Sequence, residues 1–417
     1  MGPKILDPDS ETQMPENPFS VSHLPAAADF ADRTEEVARI AAAFREPGGK
    51  LLVYGERRLG KSAAVHVAAD RVRSRTLRTA LVNLSTASGP AEAANQILTT
   101  VHRAVGRSWM ELFTAIARGL SVQVSAKTTP ESGGLPTIAL TLSASPRPDE
   151  YLLITEVLDA VERELARRRI RLGLLLDEFQ RIHEWGGEDA EWALKGITER
   201  HRAISYVLAG SERTLIEEMI SSKQRALWKL FDVLRMRPIA PPVFAAWIAD
   251  RGRTTGIDIT EAAAHAIVTV AGPRTRDVIQ LARHVWGIAQ RVPQKGKGHH
   301  ASPVTLGDVA VAMDDFVCEQ GSLYQRMWMT SDSTAQEILR VFAADPTVEI
   351  TASATLAHYR LKSKSTVHRT VSDLVRQELL ATAEGDARNY LYDDPFFRRW
   401  VQLFALGDIG LPVPPVL

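Results

Sequence analysis

Eight residues, Gly55-Glu56-Arg57-Arg58-Leu59-Gly60-Lys61-Ser62, fit the pattern G-x-x-x-x-G-K-[ST]. Such spacing suits the capture of a triphosphate. Several main-chain N–H groups must converge on the phosphates, and only a loop short of bulky Cβ groups lets the backbone come that close. A helix starting at the lysine would add its positive end. Lys61 would then reach the β- and γ-phosphates, the Ser62 hydroxyl would hold Mg²⁺, and Gly55 through Ala63 would line the cradle. The alternative is a chance match in an ordinary strand-loop-helix turn. In a chain of this size and composition that has a probability of about 1–2 %, and the apolar "LLVY" before the loop and the helical "SAAVHV" after it lower it further.

An acidic pair supplies the partner chemistry. "RLGLLLDEFQ" (171–180) is apolar, Gly173 aside, up to Asp177 and Glu178. Carboxylates are costly inside a sheet, so they mark the strand's C-terminal edge, where open α/β sheets bind ligands. Asp177 would orient the Mg²⁺ shell, and Glu178 would act as general base on the attacking water. Gln180 could hold Glu178 away from that water until a partner arrives. Alone, the pair is equally the start of a solvated loop; beside the glycine loop it favours hydrolysis. Ser211 ends a further apolar run, "AISYVLAGSE". It would lie between the two motifs, near the γ-phosphate, or cap the next helix, and both can hold.

These groups need a scaffold. "KLLVYG" (50–55), "TLRTALVNLS" (76–85), "IRLGLLLDEF" (170–179), "AISYVLAGSE" (203–212) and "VLRMRPIAP" (233–241) read as strands. Helical patterns cover 29–44, with Asp32 or Thr34 near the start, and 62–74, 91–105, 151–169 and 190–200. Apolar strands alternating with helices predict an α/β fold with a parallel sheet covered on both faces. Period-2 alternation in "SVQVSAK" and "TIALTLSAS" around "TTPESGGLP" predicts a β-hairpin insertion at 118–146. After "IAPPVF" the strands stop, and 242–290 and 301–326 read as helical around a Lys/Gly/His-rich loop at 291–303. His299 and His300 in that loop have no Cys or acidic partner at ligand spacing, so they read as solvated.

A length of 417 residues predicts two to three domains. Lys+Arg and Asp+Glu stand at 50 each, so any nucleic-acid or membrane contact must come from a local patch. A single cysteine, Cys318, excludes an intrachain disulfide framework, reads as structural and fits a reducing compartment. No apolar run approaches the ~18 residues of a membrane span, and the first residues lack the basic-then-apolar order of a signal peptide. A cytoplasmic protein with no membrane partner is the expectation, with residues 1–27 a flexible N-terminal arm or one that wraps a domain surface.

Toward the C-terminus, "STAQEILRVFAA", "ITASATLAHYRL" and "SKSTVHRTVSDLVRQELLATA" read as three helices, the third capped by Ser363 or Ser365, with Leu374, Leu379 and Leu380 on its core side. "LLATAEGDARNYLY" follows as two short strands, a wing. This is the pattern of a winged helix-turn-helix, which sets its third helix in a DNA major groove. Arg360, Lys362, Lys364, Arg369 and Arg376 face one acid, Asp373, across that stretch, which suits phosphate contact. Lys362, Lys364, Thr366, His368 and Arg369 are the candidate contacts to double-stranded DNA, with Ser372 also in reach of base edges. Residues 331–417 as a whole carry 9 Lys/Arg and 11 Asp/Glu, so a protein contact or internal packing is the competing reading.

Together these segments resemble the P-loop ATPases of the AAA+ and STAND group, in particular archaeal-type ATPases with "DEFQ" after the third strand. "FADRTEE" (30–36) resembles their F-x-x-R-x-x-E segment, "VAGPRTRDVIQLARHVW" (270–286) the lid helix beginning at G-x-P-R, and "NYLYDDPFFRRWV" (389–401) the ending of their C-terminal domain. The resemblance implies a P-loop ATPase core at 28–241, a helical lid at 242–326 and a winged helix at 327–417. It implies ATP with Mg²⁺ as cofactors and an adenine-side contact near Phe30 and Arg33. Lys61 and Ser62 match the Walker A pair, and Asp177 and Glu178 the Walker B pair. Ser211 matches the first sensor, Arg274 the second sensor with Arg276 a close rival, and Arg225 is the candidate trans-acting arginine of a homo-oligomer. What is implied is an ATP-hydrolysing molecular switch coupled to DNA binding or assembly; the alternative is a signalling or defence scaffold whose winged helix contacts protein.

Overall fold

The computed structural model describes residues 16–19, 30–106, 123–129, 137–143, 149–211, 213–291, 302–383, 386–407 and 412–417. Expectations placed elsewhere, among them most of the 1–27 arm, the turn of the 118–146 insertion and His299 and His300, lie outside the described residues. Two compact units divide the chain at Pro238.

The unit Leu24–Pro238 holds the sheet. In chain order it runs α1 (Thr34–Arg45), β1 (Lys50–Tyr54), α2 (Lys61–Val72), β2 (Leu77–Asn83), α3 (Pro90–Val105), β3 (Gln123–Thr129), β4 (Thr137–Ser143), α4 (Leu152–Arg168), β5 (Arg171–Asp177), α5 (Arg181–Thr198), β6 (Ile204–Gly210), α6 (Arg213–Ser221) and β7 (Asp232–Arg235). Five strands form one sheet in the order β2-β5-β6-β1-β7, every pair parallel. β3 and β4 pair antiparallel by themselves, Gln123 opposite Ser143 through Thr129 opposite Thr137.

Side chains alternate across each strand, and this splits the apolar residues between two cores. Leu51, Val53, Leu175, Val207 and Ala209 join α1 and α2 on one face. Leu52, Tyr54, Leu174, Leu176, Tyr206 and Leu208 join α3, α4 and α5 on the other. Both faces are covered, so β6 is buried along its whole length. Gly173, the one gap in the apolar run of β5, has a packing reason: a Cβ there would stand 2.5 Å from Cδ1 of Phe44. The start of β6 is tied down by a carboxylate. Glu162 on α4 accepts from the N–H groups of Arg202 (2.8 Å), Ala203 (2.9 Å) and Ile204 (2.8 Å).

Two elements differ from the sequence expectation. α1 starts at Thr34, beside the residues expected near its start but later than residue 29, where the helical pattern opens; its N-cap is Arg33, in the left-handed region at φ 68° with no side-chain cap. α5 begins at Arg181 rather than near 190, because its first turns run through a break at Gly187 (φ 57°, ψ −146°). The glycine pair Gly186-Gly187 hides that part of the helical pattern.

The second unit spans Ile239–Leu417 and takes in residues 16–19. Five helices come first: α7 (Pro241–Thr254), α8 (Glu261–Ala271), α9 (Thr275–Arg291), α10 (Leu306–Glu319) and α11 (Gly321–Thr330). Thr305 and Asp308 form a capping box on α10. Phe19 is fully buried, its ring edge-on to Trp247. Then come α12 (Ser333–Ala344), α13 (Ser353–His358), α14 (Lys364–Arg376), the antiparallel pair β8 (Leu380–Ala383) and β9 (Asp386–Tyr392), and α15 (Pro395–Phe404). Ser363 caps α14 by accepting from Thr366 N. The helix ends at Arg376, so of the three leucines expected on its core side only Leu374 belongs to it. Leu379 lies beyond the helix and Leu380 opens β8. Asp394 caps α15 by accepting from the N–H groups of Phe396 and Phe397, and Arg399 on α15 pairs with Asp314 on α10 through two bonds of 2.6 and 3.0 Å.

Candidate functional site

β1 delivers the glycine loop and β5 the acidic pair, both at C-terminal strand ends. β6 lies between them, with Tyr54 opposite Gly210 and Asp177 opposite Ala209. The loop turns through the left-handed region at Arg58 (φ 65°) and Gly60 (φ 88°), where glycine meets no Cβ penalty. Gly60 is the N-cap of α2, and no side chain caps that helix end. The first N–H groups of α2 are thus not taken by a cap, as anion capture at a helix start requires. Glu56 and Ala63 are half-buried; Arg57 and Arg58 are exposed.

Lys61 is buried, and its Nζ donates to the carbonyls of Gly55 (2.8 Å) and Glu56 (2.7 Å). Burial pushes its pKa down; the charges of Glu178 and Asp177 push it back up. Ser62 Oγ donates to Asp177 Oδ2 at 2.8 Å, closing a gap of 115 residues in sequence. Asp177 is 8 % exposed, and its Oδ1 accepts from Glu178 N at 3.1 Å. Burial raises the Asp177 pKa and the Glu178 charge adds to that, against the lowering effect of the Ser62 hydrogen bond.

Glu178 sits at φ 54°. Its Oε2 accepts from two donors, Ser211 Oγ at 2.8 Å and Gln180 Nε2 at 2.5 Å. Arg57 Nε lies 3.5 Å from the same Ser211 hydroxyl. Gln180 is 3 % exposed. Its Oε1 fits into the space left by Gly210, where a Cβ would stand 2.6 Å from that oxygen. The site therefore gathers Lys61, Ser62, Asp177, Glu178, Gln180 and Ser211 from three strand ends. Phe30 packs partly buried against the α1/α2 core. Arg33 is 4 % exposed and donates to Glu36 Oε1 (2.9 Å) and to the Leu59 carbonyl (3.2 Å).

The donor set suits a hard cation. A hydroxyl and a carboxylate meet at the head of α2, and Mg²⁺ bound with a nucleotide commonly takes one or two protein oxygens, leaving the rest of its shell to phosphate and water. Among the described residues no group of three or more His, Cys, Asp or Glu forms an all-protein metal site.

Other candidate residues have partners outside this group. Arg225 is 7 % exposed and belongs to an internal ion network. It pairs with Glu191, donates to Glu218 Oε1 at 2.9 Å, and shares Glu191 with His183 Nδ1 at 2.7 Å. In the second unit, Arg274 precedes α9 and its guanidinium donates to the carbonyl and the carboxylate of Asp393, while Arg276 is exposed. Sequence reasoning missed Asp393 and Glu191, because each pairs with an arginine at a separation that no local pattern shows. On α14, Lys364, His368 and Arg369 are exposed together with Ser372 and Arg376. Thr366 Oγ1 lies 2.9 Å from the cap Ser363, and Lys362 donates to Thr334 at 2.5 Å.

Comparison with known proteins agrees with this architecture. A family model described as a probable winged helix domain matches residues 322–403. Comparison with curated protein sequences found no match. Among solved structures, a Walker-type ATPase of Pyrococcus abyssi is similar at 13 % identity and TM-score 0.55, covering 92 % of this chain and 99 % of that one. An ORC2 protein of Aeropyrum pernix, in its ADPNP-ADP complexes, is similar at 13 % identity and TM-score 0.54, covering 95 % and 98 %. The ADP form of that protein gives 14 % and 0.51, with 91 % and 93 % covered. The fold is thus that of the P-loop ATPases: a parallel sheet with helices on both faces, a helical segment and a C-terminal winged helix. Among the described residues no helix is long and apolar enough to cross a membrane.

Proposed function

We propose that the chain is a Mg²⁺-dependent ATPase whose nucleotide state is coupled to DNA contact through the winged helix. The observation that carries the reading is the Ser62–Asp177 hydrogen bond of 2.8 Å, which brings the two expected cation ligands together at the end of a glycine-bounded loop, at the head of α2. Loop N–H groups and Lys61 would hold the phosphates, Lys61 exchanging its two carbonyl partners for phosphate oxygens. Mg²⁺, held by Ser62 and Asp177, supplies charge neutralisation on the transferred phosphoryl group. Glu178 takes the proton of the attacking water, and Ser211 and Gln180 set where its Oε2 lies. The sensor assignments of Ser211 and Arg274 belong to this proposal. Arg225 could act on a neighbouring subunit only after leaving the buried Glu191 without its guanidinium and with His183 as its remaining partner, at a cost of about 3 kcal/mol. Adenine as the base is proposed from the resemblance.

Phosphate release by wild type and Glu178→Gln under saturating Mg²⁺-ATP tests the chemistry. A loss of at least a hundredfold with nucleotide binding retained is expected; equal rates refute the base. For DNA, Lys364→Glu with Arg369→Glu should abolish a salt-dependent affinity for duplex. A second reading, a signalling or assembly scaffold whose winged helix contacts protein, is favoured by the acidic excess of residues 331–417, 11 against 9. Unchanged duplex affinity in the double variant selects it.

A further inference from the structure

We propose that Arg33 is a positioning residue for the phosphate loop and makes no contact with the nucleotide base; the inference rests on reading residues 55–62 as the phosphate cradle. Arg33 occupies the N-cap of α1, where Ser, Thr, Asp or Asn would cap with its own side chain. Its φ of 68° lies in the left-handed region, which is strained for a long side chain. The guanidinium is spent elsewhere. Nη1 donates to Glu36 Oε1 at 2.9 Å and Nη2 to the Leu59 carbonyl at 3.2 Å, so the planar fork spans α1 and the loop in one rigid group.

The Leu59 carbonyl is where such a hold has most effect. Leu59 is 1 % exposed and lies between two left-handed residues, Arg58 at φ 65° and Gly60 at φ 88°. No helix or strand ladder fixes the peptide plane that joins Leu59 to Gly60. In a trans peptide the C=O and the following N–H point in opposite directions. Holding the Leu59 oxygen toward α1 therefore aims the Gly60 N–H the other way, out of α1 and into the loop. The exposure of Arg33 argues against a base contact. At 4 % exposed, with two nitrogens engaged and Nε buried without a hydrogen-bond partner among the described residues, the guanidinium offers almost no surface to a purine ring.

The test is calorimetric titration of the full chain, as wild type, Arg33→Ala and Arg33→Lys, with Mg²⁺-ATP, Mg²⁺-GTP and inorganic tripolyphosphate with Mg²⁺. Arg33→Ala is expected to weaken all three by one common factor, about tenfold, as the loss of one charge-assisted hydrogen bond would give. Arg33→Lys keeps a cation but not the fork and is expected to recover part of the loss for all three. Because it retains the charge, it also carries the test if Arg33→Ala does not fold. ATP weakened with tripolyphosphate unchanged would place Arg33 on the base and overturn the proposal. Unchanged affinity for all three in either variant would also overturn it. Wild type binding none of the three would instead remove the phosphate-loop reading and the positioning role with it.

Discussion

Replacing Asp177 by Asn should make the ligand-free protein more stable and the nucleotide site useless. Asn keeps the size of Asp and can keep both hydrogen bonds. Its Oδ1 accepts from Glu178 N as the carboxylate does at 3.1 Å. Its Nδ2 can donate to Ser62 Oγ, because a hydroxyl that now donates to Oδ2 at 2.8 Å can turn and accept. What disappears is a buried negative charge beside Glu178. Burial holds the folded pKa of Asp177 above its ordinary value of 3.8. The folded state therefore binds the proton more tightly than the unfolded chain, and stability falls as pH rises from that ordinary value through the raised one. Above the raised pKa the full cost is present, and Asn avoids it. A partly compensated buried charge is worth about 1 kcal/mol here, or roughly 2–4 °C in melting temperature for a unit of this size. The assay is thermal melting across pH with and without Mg²⁺-ATP. At a hundredfold excess over Kd, nucleotide should stabilise wild type by about 2.7 kcal/mol and Asp177→Asn by almost nothing. The apo advantage of the variant should vanish below the ordinary carboxylate pKa, where both side chains are neutral. A variant that melts below wild type at pH 7, or that keeps the full Mg²⁺-ATP shift, would refute the reasoning.

Gly173→Ala should destabilise the sheet unit by about 1–3 kcal/mol, since its methyl would press on the ring of Phe44; adding Phe44→Leu should return part of the loss in a melting experiment. Arg225→Ala should cost about 3–5 kcal/mol by leaving Glu191, 1 % exposed, without its cation. Arg225→Met with Glu191→Leu should lie much closer to wild type in denaturant titration. If the single variant melts normally, the network is not a structural tie and the trans-acting role regains ground.

Local signals were legible and distant ones were not. The glycine loop, the acidic pair and the apolar strands are each contained in about ten consecutive residues, so spacing alone conveys their chemistry. The alternation of strands and helices announced a parallel sheet, but neither the strand order nor the place of β6 between β1 and β5 is written in any one segment. Gly173 read as an interruption because its reason, Phe44, stands on another element. The tie from Arg33 to Leu59 is made across 26 residues, so no local pattern shows it. α5 began earlier than its pattern because Gly187 bends the chain without ending the helix. Arg225 and Arg274 were expected as the trans-acting arginine and the second sensor; the acids they pair with, Glu191 and Asp393, are too distant in sequence for spacing to show.

The carboxylate of Glu162 has a consequence for turnover. It clasps three successive amides at the start of β6, and seven residue steps of extended chain at about 3.3 Å each lead from Ile204 to the serine at the other end. A strand anchored at its root cannot slide, so the height of Ser211 above the sheet is calibrated from more than 20 Å away. Damage at this remote footing would blur the aim of the Glu178 carboxylate, the proposed proton acceptor, while leaving every side chain of the proposed nucleotide site chemically intact.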